Sequence, residues 1–396
     1  MTSHPAGLVA GLTLIAAVTV LGTRAAETTG PGALGGPLTG LTPTEFELFR
    51  LGLDDFLEVE TAEEGLGPAF NGASCAACHS VPAIGGGGHV AEVRAGFRTE
   101  AGEFRSPGDG TLFHLFSIPA HTCQPEIPAG ANVIARRVPI PLFGAGLVEA
   151  IDDETLRALE DPADRDRDGV IGRAALVTDV ASGATRVGRF GWKAQHATLL
   201  AFGADAYRNE MGITNDLFPL EFANGVAANR LRLCDPIPDP EDIADRETGR
   251  RGIDTFEAFM RLLAPVARAG ADDQTRRGEL AFDAIGCSAC HVPSLTTGAN
   301  ANPLFDRRPV QLFSDLLLHD IGTGDGIVQG AAGAAEMRTP ALWGLRFRRP
   351  LLHDGSAATP ADAIRRHAGE AALARDGFVG SGSSVRADLL AFLGSL

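Results

Sequence analysis

Behind Thr42-Pro43 the chain sets Phe46, Phe49, Leu51 and Leu53 among acidic and polar neighbours, which predicts a helix running through Asp55. From Gly85-Gly86-Gly87-Gly88 to Phe143 the periodicity disappears. Glycine and proline interrupt the apolar runs there, so loops and short strands are predicted. Helical spacing returns from Asp153 to Glu160. It returns again from Trp192 to Met211, where Ala194, Leu199, Leu200, Ala204 and Tyr207 would share the buried side of one long helix. Gln274 to Ile285 and the apolar stretch Val385 to Leu396 are further predicted helices. Thr28 to Thr42 reads as a flexible lead-in, and Pro236 to Asp242 as a linker or turn.

Two short motifs of the same form stand far apart in the chain, the first after a glycine-bearing approach and the second after a predicted helix. Gly65 to Ser74 approaches Cys75-Ala76-Ala77-Cys78-His79, and Gln274 to Ile285 leads into Cys287-Ser288-Ala289-Cys290-His291. C-x-x-C-H is the attachment signature of c-type haem: the thiols add to the porphyrin vinyl groups, and the histidine ligates the iron from below. A structural zinc site needs four ligands, and the chain has only two further cysteines among its 6. A dithiol redox pair does not explain a histidine directly after both motifs. The expectation is two covalently bound haems c, held by Cys75, Cys78 and His79 and by Cys287, Cys290 and His291, and hence redox chemistry.

The ends and the charge bear on compartment and partners. Gly7 to Leu21 is apolar and uncharged and is followed by Thr23-Arg24-Ala25-Ala26. This reads as a signal peptide over residues 1–26, too short for a membrane span, with no second candidate span after cleavage. A periplasmic or secreted bacterial protein fits covalent haem attachment, which takes place outside the cytoplasm. In such a compartment Cys123 and Cys234 either bridge or remain as buried thiols. The formal net charge of −16 argues against nucleic acid and points to a basic redox partner such as a small cytochrome, or to a small-molecule oxidant such as peroxide. Lys193 is the only lysine in the chain.

Outside the haem motifs, several segments resemble the di-haem oxidoreductase family, whose members are also described as di-haem peroxidases or thiol oxidoreductases. They are Gly65 to Asn71, Gly188 to Ala194, Asn209 to Thr214, Ser314 to Asp320, Arg338 to Leu345 and His353-Asp354-Gly355. A more distant similarity is to bacterial di-haem cytochrome c peroxidases. The resemblance implies a mainly α fold of two cytochrome c-like haem domains with a large loop-rich insertion in the first. It suggests residues 27–240 for the N-terminal domain and 241–396 for the C-terminal one. It also implies a distal ligand on the helix after His353-Asp354-Gly355, a position that falls on His367. The C-terminal haem would then be bis-histidine, through His291 and His367. Lys193-Ala194 and Glu210-Met211 match the ends of the peroxidases' proton-handling helix. Glu210 thereby becomes a candidate acid/base, although it also reads as a solvated helix-end carboxylate. Leu200 stands where those enzymes carry a distal glutamine.

Other residues leave alternatives open. The N-terminal haem has an open distal face or takes a ligand from His89, His114, His121, His196 or Met211, and spacing does not choose. Trp192 is a candidate electron relay, or packs with Tyr207 against porphyrin. His319 is a candidate donor to a haem propionate, or a buried histidine satisfied by the protein. Asp164, Asp166 and Asp168 before Gly169 open a calcium-type loop that lacks the closing Glu, Ala175 taking its place, or form a solvated acidic turn neutralised by Arg165 and Arg167. The function expected is a di-haem oxidoreductase of peroxidase type, with electrons passing from the C-terminal to the N-terminal haem. The alternatives are a plain electron carrier and an oxidase of thiols or protein side chains.

Overall fold

The structure, a computed structural model, describes residues 33–396 apart from 109, 119–122 and 236. The expected signal segment, residues 1–26, lies outside the described residues, as does His121. Among the described residues no helix is long and apolar enough to cross a membrane.

Helix α1 (Pro43–Leu57) starts as the sequence predicts. Thr42 Oγ1 accepts the Glu45 N–H while Glu45 reaches back to the Thr42 N–H, a reciprocal cap at the helix start. A two-residue strand β1 (Ala69–Phe70) precedes the short helix α2 (Cys75–Cys78), which carries the first motif. The following tract forms β2 (Glu92–Arg98), β3 (Phe104–Arg105), β4 (Leu112–Phe113), β5 (Phe116–Ser117) and β6 (Val133–Arg137). β2 is the centre of this small antiparallel sheet and pairs with β3, β4 and β6. The short helices α3 (Ala145–Glu149) and α4 (Asp153–Arg157) and the hairpin of β7 (Ala175–Thr178) and β8 (Thr185–Gly188) come next.

The predicted helix from Trp192 to Met211 is broken. Gly191 and Ala194 take positive φ (79° and 50°), and Phe190 bridges back to His196, so Trp192 and Lys193 sit in a tight turn. Thr198 then caps α5 (Leu199–Ala206), which widens into a π-helical turn at Tyr207–Met211. Apolar spacing alone could not see the turn, because its side chains are as buried as helical ones.

After α6 (Ala228–Cys234) come α7 (Gly252–Leu262), α8 (Asp273–Ala284) and the second motif. The strands β9 (Leu295–Thr296), β10 (Pro309–Val310), β11 (Leu318–His319) and β12 (Met337–Arg338) follow, and then α9 (Pro360–Arg366), α10 (Ala372–Gly380) and α11 (Ser383–Leu393). With about 31% helix and 14% strand, the fold is mixed, not mainly α as expected. The loop-rich tract is built of real, if short, strands.

The two motifs are framed by the same helix crossing. Gly52 of α1 lies so close to α7 that a Cβ would overlap the Thr255 carbonyl, and Phe259 packs alongside. Gly278 of α8 meets the Asp388 carbonyl of α11 in the same way, with Phe392 alongside. Four residues after each glycine a phenylalanine faces the motif histidine. The Phe56–His79 and Phe282–His291 ring centroids are both 6.4 Å apart, tilted 57° and 55°. Phe259 and Phe392 are fully buried, each worth roughly 1.5–3 kcal/mol of apolar burial. Helix α7 packs on α1, the helix whose Phe56 faces His79.

Candidate functional site

A cavity opens beside each motif. The first, of about 220 Å³, is lined by Cys75, Cys78 and His79; the second, of about 400 Å³, by Cys287, Cys290 and His291. Trp192 and Arg338 stand in the walls of both.

The chemistry of each motif fits a covalent haem. His79 Nδ1 lies 2.9 Å from the Gly86 carbonyl, and His291 Nδ1 lies 3.0 Å from that of Phe313. Donation from Nδ1 fixes the ring and leaves Nε2 as the free ligand atom. Burial lowers both imidazoles, His291 to about 4, which keeps them in the neutral, iron-binding form. Burial pushes the Cys75 and Cys78 thiols up to about 12 and that of Cys287 to about 11. Buried, uncharged sulfurs of this kind suit the uncharged state of a thioether.

The second cavity also holds His367, the C-terminal residue capping α9. Its Nδ1 lies 2.7 Å from the Ala363 carbonyl, burial lowers its pKa, and it is near enough to His291 to lower that imidazole too. His319 does not serve as the expected propionate donor. Its Nδ1 is 2.8 Å from Glu370 and its Nε2 2.8 Å from Asp315, so neither nitrogen is left over. The two carboxylates outweigh burial and raise it to about 12, a fixed imidazolium.

Among the described residues, the first cavity has no second histidine. His89, His114 and His196 lie outside its wall; His114 Nε2 is 2.8 Å from the Asn209 carbonyl, and His196 Nε2 is 3.0 Å from Asp205. Of the expected distal candidates among the described residues, only Met211 lines it, together with Glu210. The π turn brings both in, and the Gly65–Asn71 approach holds that turn. Gly67 N–H donates to the Met211 carbonyl at 3.0 Å, and Asn71 N–H to that of Glu210 at 2.7 Å. Gly212 packs so tightly on the Gly67 and Ala69 carbonyls that no side chain fits at its φ of 76°.

Glu210 is not a solvated helix end. Asn71 Nδ2 donates to its Oε2 at 2.7 Å, which leaves Oε1 to carry a proton. Burial, with the negative charge of Glu92 next to it, pushes its pKa up to about 8. Glu92 stays ionised: Arg94 grips it at 2.7 and 2.9 Å, and Arg137 lies opposite it in the β2–β6 register. Two adjacent carboxyls thus hold one proton between them, the arrangement a proton-transferring site needs.

Glu92, Arg94 and Arg137 were missed in the sequence. A signal existed: Val133, Ala135 and Arg137 form the buried face of β6, so an arginine continues an apolar stripe.

Trp192 donates Nε1–H to the Val138 carbonyl at 2.8 Å. Tyr207 donates to Glu60 at 2.8 Å and lines only the first cavity. Lys193 is a staple, its ammonium bound to the Gly333 and Glu336 carbonyls at 2.9 and 2.6 Å and to Asp325 at 3.1 Å. Cys123 and Cys234 form a disulfide with Cα atoms 6.0 Å apart. Carboxylate oxygens of Asp164, Asp166 and Asp168 come within 4.8 Å of one another, as a cation loop would need, and they also accept N–H groups of their own turn.

The family described as "Di-haem oxidoreductase, putative peroxidase" matches residues 120–396, more than two thirds of the chain. Among solved structures, a hydrazine synthase from Kuenenia stuttgartiensis aligns with a TM-score of 0.41 at 14% identity, covering 98% of this chain and 100% of that one. The diheme peroxidase BthA from Burkholderia thailandensis aligns with a TM-score of 0.41 at 17% identity, covering 90% and 86%. A MauG-like protein associated with microbial copper homeostasis aligns with a TM-score of 0.33 at 18% identity, covering 71% and 95%. No curated protein matches the chain.

Proposed function

The chain belongs to the di-haem oxidoreductase family, and we propose that within it the protein is an exported enzyme of peroxidase type with two covalently held haems c. One observation carries the reading: the cavities are unequal. The second has two neutral imidazoles with free Nε2 atoms, His291 and His367. Among the described residues the first has His79 alone, facing the Glu92–Glu210 carboxyl pair with Arg94 and Arg137.

In this reading Cys75, Cys78, Cys287 and Cys290 attach the haems, and His79 and His291 ligate the irons through Nε2. His367 closes the second site, and the first is left for substrate. Bound haem would supply the iron at which peroxide is reduced in the first cavity and a store of electrons in the second. The protein's share is proton handling and positioning. Glu210 offers the proton at Oε1, Asn71 fixes its orientation through Oε2, and ionised Glu92 holds that proton on Glu210 until it is needed. Trp192, in the wall common to both cavities, is the relay for electrons arriving from the second. The N-terminal unit runs through α7 and the C-terminal unit starts at α8. The Cys123–Cys234 disulfide supports a periplasmic location. A small basic cytochrome suits the acidic chain as donor.

The buried thioether of Met211, in the first cavity wall, favours a second reading, an electron carrier with both irons six-coordinate. Spectra of the holoprotein with and without hydrogen peroxide separate the two. One high-spin haem that responds to peroxide beside one low-spin haem is expected; two low-spin haems unmoved by peroxide would leave only the carrier. His367→Ala should turn the second haem high-spin or change its ligand, and an unaltered low-spin spectrum would remove His367 from the site.

A further inference from the structure

We propose that Arg338 and Arg348 form a clamp for the propionate carboxylates of the haem in the second cavity, an inference that rests on the haem reading above. Arginines that line the cavities are otherwise paired. Arg94 lies against Glu92, Arg137 against Asp325, Arg189 against Asp153, and Arg375 against Asp376.

Arg338 and Arg348 have no carboxylate within ion-pair distance among the described residues. Arg338, on β12, donates Nε–H to the Gly191 carbonyl at 2.8 Å and Nη1–H to that of Thr339 at 3.1 Å, which aims the guanidinium without neutralising it. Arg348 has even less. Its Cζ lies 5.3 Å from the Trp192 ring centroid, and its buried Nη2 finds no hydrogen-bond partner. Burial lowers both guanidiniums to about 10, and the charge of Arg348 presses Arg338 further down against the more distant pull of Asp315.

A buried Arg338 and a half-buried Arg348 close enough to repel, with no carboxylate in ion-pair contact among the described residues, are a costly arrangement unless something negative binds there. The planar fork of arginine matches a carboxylate. A haem attached at Cys287 and Cys290 brings two carboxylates into the cavity that both arginines line. The Arg338 N–H also donates to the Trp192 carbonyl at 2.8 Å, so one backbone contact sets both the clamp and the indole between the cavities.

The test is a redox titration of Arg348→Met holoprotein alongside a pyridine haemochromogen count. Loss of a positive charge disfavours the reduced iron, so the low-spin midpoint should fall while the count stays at two haems per chain. Arg348→Lys should restore part of the shift. An unchanged midpoint at two haems per chain overturns the clamp alone; a wild-type count below two overturns the haem reading and the clamp together. If Arg348→Met does not accumulate, resonance Raman of the wild type decides. A propionate bending band displaced toward strong hydrogen bonding supports the clamp, and bands like those of a haem peptide free in solution overturn it.

Discussion

The proton shared by Glu92 and Glu210 is the residue-scale feature with the most direct chemical consequence. Glu210 is protonated below about pH 8. A general-acid step that uses it should therefore run level at lower pH and slow as pH rises through that value. Glu210→Gln should slow peroxide turnover by about 10²–10⁴ and flatten that limb while haem content is unchanged. Wild-type rates in the variant would retire the role. The same shift has a sign in stability. Between the ordinary value of 4.5 and about 8 the folded state binds a proton that the unfolded chain has released. Stability from this group should fall with rising pH across that window, and denaturation of Glu210→Gln should lack that contribution to the slope.

At the scale of elements, two helix pairs repeat one device. Glycine lets the helices touch, and a phenylalanine one turn later presses on the motif histidine. Gly278→Val should destabilise the α8–α11 crossing by about 1–3 kcal/mol through overpacking, and more if the helices separate. Thermal melting of the holoprotein, followed at the low-spin haem band, checks this; an unshifted melt would mean that the crossing is slack. The repeat is hard to read in the sequence. The glycine-to-phenylalanine spacing is the same in α1 and α8, but Phe56 lies 19 residues before its first cysteine and Phe282 only 5 before its own. The predicted helix from Trp192 to Met211 failed for a related reason. The turn at Gly191–Ala194 buries its side chains, so burial there has a helix-like pattern without a helix.

At the scale of the molecule, the disulfide ties Cys123, in the strand-rich tract, to Cys234 at the end of α6, across 111 residues. Replacing both with serine should cost about 4–5 kcal/mol in the chain-entropy account and lower the melting temperature, with the two-haem spectrum retained. A melt equal to that of the wild type would show that the bridge is dispensable. Sequence alone determined where the two C-x-x-C-H motifs lie, which cysteines were left to pair, and the helices before and after the second motif. Each of those depends on covalent chemistry or on periodicity within one short segment. Tertiary structure decided what faces each motif. Glu92 and Arg94 reach the first cavity from β2, Arg137 from β6 and Glu210 from a π turn, while Trp192 enters its wall from a turn taken for helix. A cavity wall is assembled from segments far apart in the chain, and nothing in the local pattern of any one of them records which others it will meet.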